Sequence, residues 1–412
     1  MSPSALPRLR AHTKPTDILL IVSLLTAVLI MSACGSSSAS SMMNPKANNA
    51  ASSANAAGSN GSGAGPAAPK PEVMITGDFV PELPAPAGEI YSYSVNPTNG
   101  AITEVGSNGD NGTGALAVNH ANTLLYTSEI GPTMAVYSIG STGSLTFLFD
   151  TVSIRAHSFE GRIAIHPNDH FVYSGAYTEG VIGYRAEPDG TMTELAGNPV
   201  QPESFLAGFI PSGTWLYGVS TPASGGGAVI PYQANSQTGA IVAAGAIRIL
   251  TPKSQFTFGD ARLDPQGKFL FVTDQANNAI YTFSINPQTG KAVQIAVAFT
   301  GTEIPGNITI SPNDKFLYVG SASNPDILGY SIGDNGKLSP INGGKAFVLG
   351  SPNFGGIRGL NVDLTGGYLY ANTVFYTNGL AINPNTGTLT SVMSPLFDSG
   401  NELTDVTFAS LP

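Results

Sequence analysis

Glycine-centred turns recur along this chain at a blade-like interval, and that repeat constrains the fold more than any other feature. They fall at Gly100, Gly143, Gly190, Gly239, Gly290, Gly336 and Gly387, with successive spacings of 43 to 51 residues. Four have a fuller form: Asn96-Pro-Thr-Asn-Gly100, Asn286-Pro-Gln-Thr-Gly290, Asn383-Pro-Asn-Thr-Gly387 and the looser Asn235-Ser-Gln-Thr-Gly239. Turns of this type need positive φ at one position, which glycine adopts without a Cβ clash, and they close two-stranded hairpins. Apolar residues alternate before each turn, as in Tyr91, Tyr93 and Val95 or Tyr281, Phe283 and Ile285. A short strand such as Ile102–Val105 follows. A period of two among β-branched and aromatic residues marks half-buried strands.

A second pattern lies earlier in each unit: Ile163-Ala-Ile-His-Pro-Asn-Asp-His-Phe-Val-Tyr173, Arg262-Leu-Asp-Pro-Gln-Gly-Lys-Phe-Leu-Phe271, and Ile308-Thr-Ile-Ser-Pro-Asn-Asp-Lys-Phe-Leu-Tyr318. Each reads as a strand, a Pro-x-Gly/Asp turn and a second strand. Weaker copies end at Tyr126, Tyr217 and Tyr370. A full unit therefore holds four strands in succession, which is one propeller blade. Six units carry both patterns. The seventh is divided, with Val406–Phe408 supplying the inner strand and residues 73–105 the rest. The expected architecture is an all-β, seven-bladed β-propeller of four-stranded antiparallel blades over residues 71–412. Pairing of N- and C-terminal strands in one blade would close the ring and leave no bare edge.

Residues 1–33 read as a signal peptide: Arg8, Arg10 and Lys14 precede an apolar run from Ile18 to Met31, short for a bilayer span. Met31-Ser-Ala-Cys34 follows, with small residues before the chain's single cysteine. Cys34 is therefore the expected lipidation site. Residues 34–70 hold this cysteine and a Ser/Ala/Gly/Asn tract with little to bury, expected to act as a tether. The expected address is the bacterial cell envelope, lipid-anchored on the extracytoplasmic side, at the outer membrane or the periplasmic face in a Gram-negative cell. Charged residues make up only 11 % of the chain and the formal net charge is −10. No basic surface is available for a phosphate backbone, so nucleic acid is not an expected partner.

Pro312-Asn-Asp-Lys-Phe-Leu-Tyr-Val319 and Phe283-Ser-Ile-Asn-Pro-Gln-Thr-Gly290 give the chain a specific likeness. Over roughly residues 73–412 it resembles the lactonase family of seven-bladed propellers, which includes bacterial 6-phosphogluconolactonases and fungal muconate cycloisomerases. The resemblance implies a Pro-Arg-His segment before an inner strand and a glutamate after the next strand. At those places this chain has Gly161-Arg162, Gly259-Asp260, Gly306-Asn307 and Arg358-Gly359, so Arg358 alone holds the arginine place. The nearest glutamate is Glu129, one residue out of register. Arg358, Arg162 and Glu129 are the candidate catalytic residues that the resemblance implies.

Arg162, Asp260, Arg262 and Arg358 all fall at or beside inner strands, where propellers keep their central channel. Such arginines either clamp a carboxylate or phosphate or pair with acids of neighbouring blades. Asp274 and Glu129 occupy equivalent places after second strands, facing loops that line a rim. His157, in a connecting loop, is the one histidine suited to general-base work. His166 and His170 sit on a turn whose sister positions carry Asp264 and Lys268, so no metal site is expected there, and no cofactor is implied. The expected function is a lipid-anchored module with a degenerate catalytic site. It would bind a small anionic or sugar-like ligand or an envelope protein, as a monomer. The alternative is hydrolysis of a lactone ring, with an arginine polarising the carbonyl and a carboxylate directing water.

Overall fold

The computed structural model describes residues 70–79, 88–110, 112–129, 133–150, 162–176, 180–222, 225–252, 255–349, 355–398 and 402–412. Cys34, the segments on either side of it and His157 lie outside the described residues. Seven antiparallel sheets follow one another along the chain. The inner strands of blades 1 to 6 are Thr113–Val118, Ile163–Ile165, Phe205–Phe209, Phe258–Leu263, Pro305–Ile310 and Gly359–Val362. That of blade 7 is Glu402–Ser410. Each inner strand touches the next in order, and the blade 7 strand touches that of blade 1, which makes the ring. Blades 3 and 5 each add a short fifth segment, Ile247–Arg248 and Phe347–Val348. The single helical element among the described residues is a three-residue 3-10 turn, Asn342–Gly344.

Blade 7 is assembled from both ends of the propeller, as its divided pattern requires. Glu72–Phe79 pairs antiparallel with Glu402–Ser410, setting Val73 opposite Ala409, Met74 opposite Phe408 and Thr76 opposite Val406. Gly88–Val95 and Ile102–Asp110 complete the sheet outward.

The two sequence patterns repeat in step because they meet across blade boundaries. The hydroxyls of Tyr173, Tyr217, Tyr318 and Tyr370 donate to the carbonyls of Gly239, Gly290, Gly387 and Gly100, at 2.6 to 2.8 Å. Each bond runs from the second strand of one blade to the glycine turn of the next. Phe271 and Ile75 fill the same place without a hydroxyl. The glycine is needed twice over at these contacts. Gly290 has φ +68, and a Cβ there would stand 2.3 Å from the Trp215 ring, a separation no real packing tolerates. Apolar layers fill the spaces between sheets; Tyr217 and Val219 of blade 3, for example, pack with Leu270 and Val272 of blade 4.

The Pro-x-Gly/Asp turns also have a common cause. Gly267 and Asp314 sit at the same turn position with φ +68 and +59, a conformation that Asp and Asn visit more readily than other non-glycine residues. Upstream, Asp264 Oδ1 accepts the amides of Lys268 and Phe269, both at 2.7 Å, so a side chain caps the turn.

A candidate ligand cleft at the channel mouth

Inner strands converge on the propeller axis, so residues near their ends face one another across a narrow space. A cleft of about 310 Å³ opens there. Phe79, Phe258 and Ile357 give it apolar wall, while Arg162, Asp260, Asn307, Arg358, Glu402 and Asp405 give it charge and hydrogen-bonding groups. Aromatic and aliphatic wall beside a few convergent polar groups suits a small ring bearing hydroxyls.

Arg162 and Asp260 form the floor. Arg162 Nε donates to Asp260 Oδ1 at 2.7 Å and Nη2 donates to Oδ2, a bidentate fork. The pair is well buried, with side-chain exposures of 17 % and 4 %. Arg162 precedes the inner strand of blade 2 and Asp260 lies in that of blade 4, so the bond skips blade 3 and reaches across the channel. Asp260 is also held by the amides of Ala261 (2.7 Å) and, from blade 5, Ile308 (2.9 Å). Burial works against the charge of Arg162, but Asp260 and Asp405 more than offset it, and its pKa rises above the usual arginine value. Arg162 is thus committed to Asp260.

Asp405 repeats the design of Asp260. Its Oδ1 accepts the amide of its own successor, Val406 (2.9 Å), and its Oδ2 accepts that of Leu116 in the following blade (3.2 Å). Both aspartates therefore tie neighbouring inner strands together by charge-assisted bonds.

Arg358 differs from both other channel arginines. It is exposed at the mouth, and its guanidinium has no hydrogen-bonding or ionic partner among the described residues. Its backbone is fixed instead: the amide donates to Asn372 O (2.8 Å) and the carbonyl accepts Asn307 Nδ2 (3.1 Å). A held backbone carrying an uncommitted guanidinium is an arrangement able to receive an anionic or polarisable oxygen. Glu402, half-buried, lies in the same cleft.

The remaining candidates are placed elsewhere. Asp274 is fully buried; its oxygens accept the amides of Thr257 and Ala276, the amide group of Asn277 and the Tyr281 hydroxyl (3.1 Å). Asp78 takes the Tyr91 hydroxyl (3.1 Å) in the same manner in blade 7. Glu129 is buried with the Thr133 hydroxyl on its Oε2. Neither Glu129 nor Asp274 lines the cleft. Arg262 lines a second cavity, on the other side of Arg162 from the mouth. His166 is buried between the rings of Phe171 and Phe209. Among the described residues no group of three or more His, Cys, Asp or Glu side chains gathers as a metal site would require.

Asn307 is placed by the sequence reading only through its position in the repeat, and the cleft carboxylates Glu402 and Asp405 are not singled out by it. Asp405 carried a usable signal, since Asp405-Val-Thr-Phe408 aligns with Asp260-Ala-Arg-Leu263 in the repeat. Glu402 had none, because nothing in the blade pattern marks its position.

Comparison with known proteins agrees with this architecture. A profile described as lactonase, 7-bladed beta-propeller, matches residues 208–354. A 6-phosphogluconolactonase of Yersinia pestis is 25 % identical over an alignment covering 62 % of this chain and 89 % of that protein. Among solved structures, a candidate 6-phosphogluconolactonase of Bacteroides uniformis superposes with a TM-score of 0.69 at 17 % identity, covering 82 % of this chain and 100 % of the other. A periplasmic gluconolactonase of Pseudomonas aeruginosa gives 0.65 at 14 %, covering 83 % and 100 %.

Proposed function

We infer that this lactonase-like seven-bladed β-propeller takes a small sugar lactone into the mouth of its channel and opens the ring by hydrolysis. The observation that carries this reading is Arg358, an uncommitted guanidinium on an anchored backbone beside the carboxylates of Glu402 and Asp405. Water would add to the lactone carbonyl carbon, and the oxyanion that develops would be met by Arg358. The ring C–O bond then breaks, its oxygen takes a proton, and the product is an open hydroxy acid that releases one proton at neutral pH. Donors already aimed at developing charge are among the strongest contributors to such reactions. Asp405 is engaged by two backbone amides, which leaves Glu402 as the carboxylate able to direct water. The Yersinia and Bacteroides relatives support a lactone as substrate.

Arg358→Ala is expected to lower kcat/KM for lactone opening by roughly 100-fold, read as proton release, with thermal unfolding unchanged. Equal turnover in the variant and the parent would remove Arg358 from the mechanism.

A second reading has its own support. Asp260 and Asp405 both spend their oxygens on strand-to-strand bonds, as expected in a binding module whose catalytic site has decayed. Such a module would bind the sugar acid at the mouth and leave lactones intact.

Either activity would operate outside the cytoplasm if Cys34 carries a lipid, as its placement after an apolar run indicates; the Pseudomonas neighbour is a periplasmic protein. Small residues before a thiol at the end of an export signal suit acyl attachment and cleavage there. Mass spectrometry of the membrane-extracted protein should find a diacylglyceryl thioether on Cys34 at the mature N-terminus, and none in Cys34→Ser. An unmodified Cys34 thiol would exclude a thiol-linked anchor.

A further inference from the structure

On the other side of Arg162 from the mouth, the inner strands line a second cavity of about 270 Å³. Its origin is legible in the repeat. At the inner-strand place that Arg262 holds in blade 4, blades 1, 2 and 3 carry Ala117, Ala164 and Gly208. Three successive small residues leave a lumen on one side, and all three line it. Next in the ring, in blade 4, stands Arg262, the one long side chain at this level, and it lines the same cavity. Thr309 and Asn361, at the same level in blades 5 and 6, are occupied with one another at 3.0 Å. Asn361 also donates to Val406 O at 3.2 Å. Thr407, at this level in blade 7, lines the cavity together with His120, Arg162 and Asp405, the last with both oxygens held by backbone amides.

Arg262 is only partly satisfied here. Its Nε donates to Ile308 O at 3.2 Å and stands 4.0 Å from Asp260 Oδ2, beyond hydrogen-bonding reach. Asp260 is already held by the Arg162 fork and two amides. The terminal Nη groups of Arg262 have no partner among the described residues, and the side chain keeps 28 % of its surface open to the cavity. Burial, and next the like charge of Arg162, push its pKa down to about 10 against the pull of Asp260 and Asp405. A cation in that position gains from any added negative charge.

We propose that this second chamber is a binding site for a small carboxylate, held by the Nη groups of Arg262 against the Ala117–Ala164–Gly208 wall. The guanidinium edge matches the two oxygens of a carboxylate, and the small-residue wall leaves room for a short apolar tail. The chamber lies on the far side of the Arg162–Asp260 pair from the mouth. Its occupant is therefore a ligand separate from whatever Arg358 receives, and the site does not depend on lactone turnover.

The test uses the full-length chain and carbon-13 formate as probe, reading the formate line width by NMR as protein sites fill. The chain bearing Arg358→Gln removes binding at the mouth. In that background saturable broadening is expected to persist, to weaken at least tenfold with Arg262→Gln, and to survive in part with Arg262→Lys, which keeps the charge but not the fork. Absence of saturable broadening in Arg358→Gln alone would overturn the proposal, whatever the stability of the Arg262 variants. Undiminished broadening in the Arg262→Gln, Arg358→Gln double variant would overturn it as well.

Discussion

Asp260→Ala is expected to lower folding stability by about 4 kcal/mol, the largest single loss at any channel position. Three supports disappear together: the fork from Arg162, the amide of Ala261 and the amide of Ile308. The Arg162 guanidinium is then left buried with its principal counter-charge gone. Removing one partner of a buried pair is far more damaging than replacing both, because the surviving charge has neither water nor an opposite charge. Arg162→Ala should cost less, since Asp260 retains its two amides. Urea unfolding of the two variants beside the parent measures both losses. Equal losses, or a loss below about 1 kcal/mol for Asp260→Ala, would mean that water reaches the pair freely.

The second large effect is a dependence of stability on pH at the ring closure. Glu72, on the blade 7 strand that pairs with the C-terminal strand, is 4 % exposed. Its Oε2 accepts the amide of Leu364 at 3.0 Å, and it lies against Asp363 of blade 6. Asp363 in turn holds the Tyr368 amide at 2.8 Å and the Thr365 hydroxyl. Burial first, and the charge of Asp363 second, raise the Glu72 pKa from 4.5 to about 7. In the unfolded chain Glu72 loses its proton near 4.5, whereas in the folded chain it keeps it until about 7. The contribution of Glu72 to stability is therefore most favourable below pH 4.5, declines between 4.5 and about 7, and levels off above. Each pKa unit corresponds to about 1.4 kcal/mol, so the full decline from this group is about 3 kcal/mol. Glu72→Gln should match the parent near pH 4 and exceed it by about 3 kcal/mol at pH 8. Parallel stability curves for the two proteins across that range would show that Glu72 ionises normally.

Much of the fold can be read from the chain because the same physics is imposed seven times. Positive φ at Gly267 and Asp314, the close approach of Trp215 to Gly290 and the hydroxyl bond from Tyr217 are each local demands. Repetition makes them visible above the variation of the intervening loops. The divided seventh blade was legible for the same reason, from an inner strand at one end and its outer strands at the other.

The site was legible only in outline. Arg162, Asp260, Arg262 and Arg358 do meet the channel, since inner-strand positions can be counted from the turns. Their pairing could not be counted. Neighbouring blades are the natural expectation for an ion pair, yet Arg162 reaches past blade 3 to Asp260. Such reach depends on the width of the channel, which is not a property of the repeat. Glu129 and Asp274 show the opposite difficulty. Their equivalence was visible in the sequence, but their burial was not, because it is set by Thr133 in one blade and by Tyr281 and Asn277 in the other.

The central claim is that the channel mouth receives a sugar lactone through Arg358. A crystal structure of the protein with D-gluconate, the open acid of a simple sugar lactone, tests it most directly. The account predicts the gluconate carboxylate within hydrogen-bonding distance of the Arg358 guanidinium, with its hydroxyls toward Asn307 and Glu402. Gluconate bound elsewhere on the ring, with the mouth holding solvent alone, would contradict it.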